Sequence, residues 1–272
     1  MADAFDINVD LHYSVEAPSE MILQIEAADT PDQKINVKEL TFDGADQLVH
    51  GPAGEDIGIR SRFSVEQAIS CRYSATAIVE RRARSLKRLP GTRLSALPDK
   101  TLRYLMPSRY CAPGDFAATM ETQFGKLSGG RLIATASDWL HENLSYVPGV
   151  STSDTTASDT FMRREGICRD YAHVLIAMAR ARGVPARFVA CYAPDVTPQD
   201  FHAVAEVWLD GDWHLVDPTG MVTPDTIVRI GVGLDAAEVA FLTVFGHSTL
   251  ITQQVAVKRK PAGQAALSAR PR

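Results

Sequence analysis

A single cysteine stands where the sequence predicts the start of a helix. The stretch GICRDYAH at residues 166–173 places Cys168 directly before an apolar segment, which stops at Gly183 and Pro185 as helices commonly do. A thiol attacks as its thiolate, and the free N–H groups and dipole of a helix N-terminus stabilise that anion. The same N–H groups can hold an oxyanion. Cys168 is therefore the candidate nucleophile.

An ordinary buried cysteine is the alternative interpretation of Cys168. Residue type alone favours it, and the helix-start position only makes the two interpretations equal. The other cysteines are weaker candidates, because two lie within predicted strands and one lies in a loop that offers no base. These are Cys71, Cys191 and Cys111.

Two later segments supply candidate partners for the thiol. They are DFHAVAEVWL at residues 200–209 and WHLVDPTG at residues 213–220. Asp210 and Gly211 lie near the junction, and an Asp-Gly pair between two apolar runs is typical of a two-residue hairpin turn. The segments are therefore predicted to pair as antiparallel strands.

The register of this hairpin separates two histidines. With a two-residue turn, Val204 faces Asp217, and His202 is a diagonal neighbour of Asp217 on the same face. His214 falls on the opposite face. A carboxylate beside an imidazole holds its tautomer and orientation. His202 is thus predicted as the base and Asp217 as the group that orients it.

Each partner also has an ordinary interpretation. His202 alone fits a strand-edge residue bonded to its own loop, and Asp217 alone fits a turn former before proline. Together with Cys168, in the order Cys, His, Asp, these interpretations become the weaker account. We expect His173 to be structural, since it points away from the thiol on the same helix. Asp170 is expected to cap the helix or pair with a cation.

Composition excludes several function classes. The net charge of −5 and the absence of a basic stripe in the body of the chain argue against nucleic acid. No apolar run is long enough for a membrane span and no leader is visible, so neither a membrane partner nor export is expected. The four cysteines form no CxxC pair, which favours reduced thiols in the cytoplasm. No cofactor or metal is expected.

Changes in composition and in the spacing of apolar residues predict how the chain is organised. Residues 1–80 alternate apolar and polar positions, which indicates an antiparallel β-sandwich domain of five to seven strands. Residues 81–106, rich in arginine and proline, form a connector. Residues 107–257 show helical periods and then further strands, and residues 258–272 form a basic flexible tail. The predicted fold class is α+β.

The three motifs around Cys168, His202 and Asp217 together resemble the catalytic core of the transglutaminase-like superfamily. More narrowly, they resemble bacterial members assigned as cysteine proteases, and residues 1–80 resemble the N-terminal β-domain of that group. The resemblance implies a papain-like core of helices packed on an antiparallel sheet. It also implies that Cys168 attacks a peptide or protein amide as nucleophile, that His202 is the base and Asp217 its orienter, and that a thioester acyl-enzyme forms.

The resemblance leaves the second substrate open. Water would make the protein a peptidase or amidase, and an amine would make it a transglutaminase; we expect hydrolysis. Animal members use a tryptophan upstream of the cysteine to stabilise the oxyanion, but Trp139 lies on an apolar helical stripe and is expected in the core. A non-catalytic scaffold on the same fold is the main alternative. A zinc protein that uses the same three residues is a weaker one.

Overall fold

Alternating apolar residues build the first part of the chain. The computed structural model describes residues 2–260. In the first strand Ile7, Val9 and Leu11 are buried, while the residues between them are half-buried or exposed. Such alternation buries one face of a sheet. The strands are β1 (Asp3–Val15), β2 (Ser19–Leu23), β3 (Gln33–Asp43), β4 (Asp46–Pro52), β5 (Ile59–Val65) and β6 (Ala68–Val79).

The middle of the chain is mainly helical. Its elements are α1 (Asp99–Leu102), α2 (Ala117–Phe124), α3 (Gly129–Asn143), β7 (Ser145–Tyr146), α4 (Ala157–Arg163), β8 (Glu165–Gly166) and α5 (Cys168–Ala181). Short 3₁₀ helices cover Gly54–Asp56, Leu86–Arg88, Leu94–Ala96, Arg103–Leu105 and Pro113–Phe116. Within residues 2–260, none of the helices has the length and apolarity that a membrane crossing requires.

The last part of the chain returns to strands. They are β9 (Ala186–Tyr192), β10 (His202–Leu209), β11 (Asp212–Val216), β12 (Val228–Gly233), β13 (Leu242–Phe245) and β14 (Ser248–Lys260). Four of them, in the order β11-β10-β9-β12, form one antiparallel sheet. Every residue of β9 and β10 is buried, and α5 packs on this sheet. The predicted helices on an antiparallel sheet are confirmed.

Two further sheets pack against each other as a sandwich. Their strand orders are β14-β1-β6-β3 and β13-β2-β5-β4. Apolar side chains of both sheets, such as Leu11, Met21 and Phe63, meet in one core. The predicted sandwich is confirmed, and six of its eight strands come from the first 79 residues.

The C-terminal strand crosses the predicted domain limits. β14 pairs with β1 along its length, from Ala4 with Lys260 to Val15 with Ser248. Residues 258–260 are therefore strand and not tail, since the main chain of β1 satisfies their hydrogen bonds. Residues 261–272 of the predicted tail lie outside the described residues. The division of the chain near residues 80 and 107 stays a prediction.

A capping box starts the helix α4 in a segment rich in serine, threonine and aspartate. α4 starts at Ala157, because Thr156 and Asp159 form a capping box. The Thr156 hydroxyl accepts from the Asp159 N–H at 3.2 Å, and the Asp159 carboxylate accepts from the Thr156 N–H at 3.0 Å. Each bond satisfies a donor that a helix start leaves free. These two bonds fix the start of α4 at Ala157.

Candidate active site

Cys168 is the first residue of α5, as the sequence predicts. The Asp170 carboxylate accepts a hydrogen bond of 2.9 Å from the main-chain N–H of Ile167. An acidic residue at the third helical position stabilises the start of a helix in this way. The chain thus enters the helix at Cys168, which is partly exposed, whereas the other three cysteines are buried.

A glycine is required just before this helix. A Cβ atom at Gly166 would lie 2.8 Å from Cβ of Asp170 and 3.1 Å from Cγ2 of Thr160. The first distance is shorter than real Cβ contacts allow. Gly166 therefore lets β8 approach the helices closely, and this approach sets where α5 begins.

Asp170 also fixes the loop in front of the thiol. Its buried carboxylate accepts from the Ser151 hydroxyl and from Arg169, the latter at 2.8 Å. Arg169 donates in turn to the carbonyl of Thr152 at 2.8 Å. The capping and ion-pairing role that the sequence predicts for Asp170 is confirmed. Because Arg169 is engaged inside the protein, it is not a free cation for a substrate.

The hairpin that carries the other two candidates has the predicted turn. Asp210 and Gly211 have φ values of 52° and 79°, which a two-residue type I′ turn requires. The register pairs Leu209 with Asp212 and Val207 with His214. His214 therefore lies on the other face of the hairpin from His202, as predicted. Its Nε2 donates to the Leu209 carbonyl at 3.0 Å.

His202 and Asp217 are in contact, as their predicted register requires. Nε2 of His202 lies 3.2 Å from Oδ2 of Asp217, and the two side chains are 0% and 1% exposed. Asp217 also accepts from the N–H groups of Thr219 and Val222 at 2.9 and 3.0 Å. These bonds fix the carboxylate, so that it can hold one ring nitrogen of the imidazole.

The charge states of this pair favour an imidazolium. Burial lowers the pKa of His202, but Asp217 and the Cys168 thiol outweigh burial and raise that pKa to about 9. Burial raises the pKa of Asp217, but the hydrogen bonds from His202 and Thr219 outweigh burial and keep it below its usual value. At neutral pH the arrangement therefore carries a proton on His202 beside an ionised Asp217.

Cys168 differs from the other thiols in its surroundings. Burial raises the pKa of Cys71 and Cys111 to about 12 and also raises that of Cys191. These three thiols are thus uncharged at neutral pH.

In the part of the chain that the structure describes, Nδ1 of His202 has no hydrogen-bond partner. With Asp217 on Nε2, Nδ1 is the ring nitrogen that can exchange a proton with Cys168.

Two residues near the site are structural, in agreement with the sequence analysis. His173 is fully buried, accepts from the Ala236 N–H at 3.2 Å and stacks on Tyr110. Trp139 packs against Phe161, with ring centroids 5.6 Å apart, and against the apolar core. Trp139 is half-buried and packs on the edge of that core, so its predicted core position is confirmed only in part.

Tyr146 is a neighbour of Cys168 that sequence reasoning missed. It lies on β7, which has only two residues and pairs in parallel with β8. So short a strand leaves no alternation to detect.

Among residues 2–260 no three His, Cys, Asp or Glu side chains are grouped to hold a metal ion. The expectation that no metal is needed stays a prediction.

The comparison with protein families bears on the region that contains this site. The model of the transglutaminase-like superfamily matches residues 118–218, which include Cys168, His202 and Asp217. Residues 118–218 therefore match the core of the transglutaminase-like superfamily. The predicted resemblance is confirmed, while the catalytic roles of the three residues within this transglutaminase-like core stay predictions.

Solved and curated relatives extend the similarity. The crystal structure of a "putative cysteine protease" from Cytophaga hutchinsonii is 28% identical, has a TM-score of 0.90, and covers 96% of this chain and 92% of its own. An uncharacterized protein of Mycobacterium leprae is 26% identical over 57% of this chain and 60% of its own length. A protein-glutamine gamma-glutamyltransferase of Pseudomonas aeruginosa is 34% identical over 110 residues, which are 36% of this chain and 16% of that protein. The chain thus spans less than two thirds of these two curated relatives.

Proposed function

We propose that the protein is a cysteine-dependent amide hydrolase, a peptidase or amidase, that acts through Cys168, His202 and Asp217. One observation carries the proposal: the imidazole of His202 is held at 3.2 Å by a buried carboxylate, with its other nitrogen unpartnered among residues 2–260. Cys168, a partly exposed residue at a helix start, interacts with this imidazole. This is the set of groups that thiol-dependent acyl transfer requires.

The proposed reaction has two halves. The Cys168 sulfur attacks the carbonyl carbon of the amide, so that an S–C bond forms and the carbonyl π electrons move to oxygen. The tetrahedral intermediate collapses, the C–N bond breaks, and His202 gives its proton to the leaving amine. Water then attacks the thioester, His202 takes the proton from water, and the C–S bond breaks to release the acid and the thiolate. Asp217 holds the imidazole throughout.

Acyl transfer to an amine is the second candidate. The gamma-glutamyltransferase of P. aeruginosa favours it, with 34% identity over 110 residues, although they are only 16% of that protein. The structure described as a cysteine protease matches 96% of this chain with a TM-score of 0.90. We give hydrolysis the preference because this similarity includes both the sandwich and the core.

Intact-mass measurement can decide between the two. The protein is incubated with a library of amide and glutamine peptides, with and without a primary amine. We expect an acyl adduct on Cys168, which decays to peptide acid in water. Decay only when the amine is present, with the amine incorporated, would favour transfer. No adduct on folded wild-type protein, or an unchanged adduct in Cys168→Ala, would contradict both, and Cys71→Ala serves as the matched thiol control.

The setting of the reaction follows from the same residues. The proposed substrate is a peptide or protein amide, and neither nucleic acid nor a membrane is part of the proposal. All four cysteines are unpaired in the structure, as is usual in a reducing compartment. We therefore propose that the protein acts in the cytoplasm.

A further inference from the structure

A tyrosine outside the three motifs lies against the start of α5. Tyr146 pairs with Gly166 in the two-residue parallel ladder of β7 and β8, two residues before Cys168. The ladder is extended by a hydrogen bond of 3.0 Å from the Val147 N–H to the Gly166 carbonyl. Main-chain bonds thus fix the position of Tyr146 relative to the residue that precedes the helix.

The ring of Tyr146 lies along the first turn of this helix. Its centroid is 6.2 Å from that of Tyr171, which follows Cys168 by three residues and faces the same side of α5. Tyr171 is buried, while Tyr146 remains 38% exposed. Tyr146 is thus accessible to solvent beside the first turn of the helix that starts at Cys168.

The phenol of Tyr146 interacts with Cys168, whose charge and main chain both act on its pKa. Burial raises the pKa of Tyr146, a negative charge on the Cys168 sulfur raises it further, and the Cys168 main-chain N–H lowers it. The hydroxyl thus stays protonated at neutral pH and can donate. Trp139, the tryptophan upstream of Cys168, is half-buried and packs against Phe161 instead.

We propose that the Tyr146 hydroxyl is a catalytic residue that donates a hydrogen bond to the oxyanion formed when Cys168 attacks a carbonyl. The main-chain N–H of Cys168 is the second donor. As the π electrons move to the carbonyl oxygen, the two donors bind it. They release it when the carbonyl reforms, as the C–N bond of an amide or the C–O bond of an ester breaks. The proposal rests on the proposed function and adds a fourth residue to it.

Two reactions of the same thiol test this role. p-Nitrophenyl acetate acetylates a thiolate through a tetrahedral oxyanion, whereas iodoacetamide alkylates it by displacement without one. In Tyr146→Phe we expect acetylation of Cys168 to slow about 10²-fold, the loss typical of one oxyanion donor, while alkylation stays within about twofold of wild type. Rates are measured by p-nitrophenolate release and by intact mass, and thermal unfolding confirms that the variant is folded.

Tyr171→Phe is the matched control, because it removes a neighbouring hydroxyl and keeps both rings. We expect it to leave both rates unchanged. Equal loss of acetylation and alkylation in Tyr146→Phe would mean that Tyr146 only positions or ionises the thiol, and this would overturn the proposal. Unchanged acetylation would also overturn it while leaving the hydrolase intact. A wild-type protein that is not acetylated at Cys168 would overturn the proposed function as well.

Discussion

At the residue scale, the alternation of side chains between the two faces of each strand decides which residues of the candidate site meet. His202 and Asp217 meet because a two-residue turn at Asp210 and Gly211 sets the register, and register decides which face each side chain takes. This much could be predicted from sequence, since both turn residues are close to their strands. The position of Tyr146 could not be predicted, because a two-residue strand carries no pattern. Its partner strand β8 also lies 20 residues further along the chain, as the pairing of Ser145 with Glu165 shows.

The His202 and Asp217 pair makes the stability of the protein depend on pH. The folded-state pKa of His202 is raised to about 9, above the unfolded value of about 6.5. Its contribution is therefore complete below about pH 6.5 and is lost as pH rises through about 9. In Asp217→Asn the partner loses its charge, so the pKa of His202 should fall. Between pH 7 and pH 10 the free energy of unfolding of the variant should then fall less than that of the wild type, by at most about 3 kcal/mol.

Urea unfolding at both pH values measures this difference, and an NMR titration of the imidazole gives the pKa itself. Asp212→Asn is the matched control, because Asp212 lies on the same hairpin and is exposed. It should follow the wild-type pH dependence. An Asp217→Asn variant whose imidazole still titrates near pH 9 would show that the carboxylate does not set the charge of His202.

At the element scale, the C-terminal strand holds the segment that leads into His202. The Gln199 amide bonds both main-chain groups of Val257 on β14, at 3.0 and 2.6 Å. Gln253 of β14 donates to Asp200 at 2.7 Å. Sequence patterns predicted the strand but not these contacts, because they join positions more than 50 residues apart. The N-terminal sandwich thereby reaches the candidate site through β14.

Removal of one of these contacts should affect activity more than stability. Gln253→Ala deletes the bond to Asp200, and the segment before His202 loses one of its supports. We expect the rate of Cys168 acylation to fall several-fold, about 1 kcal/mol for one hydrogen bond, with little change in the melting temperature. Gln254→Ala is the matched control, since Gln254 is the exposed neighbour on the same strand. Equal rates in the two variants would show that β14 does not support the site.

At the scale of the whole molecule, a buried ion network joins the sandwich to the core sheet. Glu206 on β10 is fully buried and bonds Arg187 at 2.7 Å and Arg229 at 2.6 Å. Arg187 reaches Glu55 at 2.7 Å, and Arg229 reaches Asp32 at 2.8 Å. Both of these acids belong to the N-terminal part of the chain. Sequence alone could not predict the network, because each arginine and carboxylate also fits a solvated surface.

The network should stabilise the two parts together. Burial raises the pKa of Glu206, but Arg229 and Arg187 outweigh burial and keep it below its usual value. Its contribution is thus present at neutral pH and is lost as pH falls through that lowered pKa. Glu206→Gln removes the carboxylate between two buried guanidinium groups, each of which keeps one other acid, Glu55 or Asp32. Breaking a buried pair costs about 3–5 kcal/mol when the remaining charge is uncompensated, so we expect a loss of at most about that size.

Urea unfolding at pH 7 measures that cost, with Glu39→Gln as the control, because Glu39 is exposed on β3. Since Glu206 shares β10 with His202 and lies four residues after it, both side chains emerge on one face of the strand. The loss should therefore lower the acylation rate of Cys168 together with stability. If Glu206→Gln unfolds at the same urea concentration as Glu39→Gln, the network does not stabilise the fold, and the apolar contacts alone hold sandwich and core together.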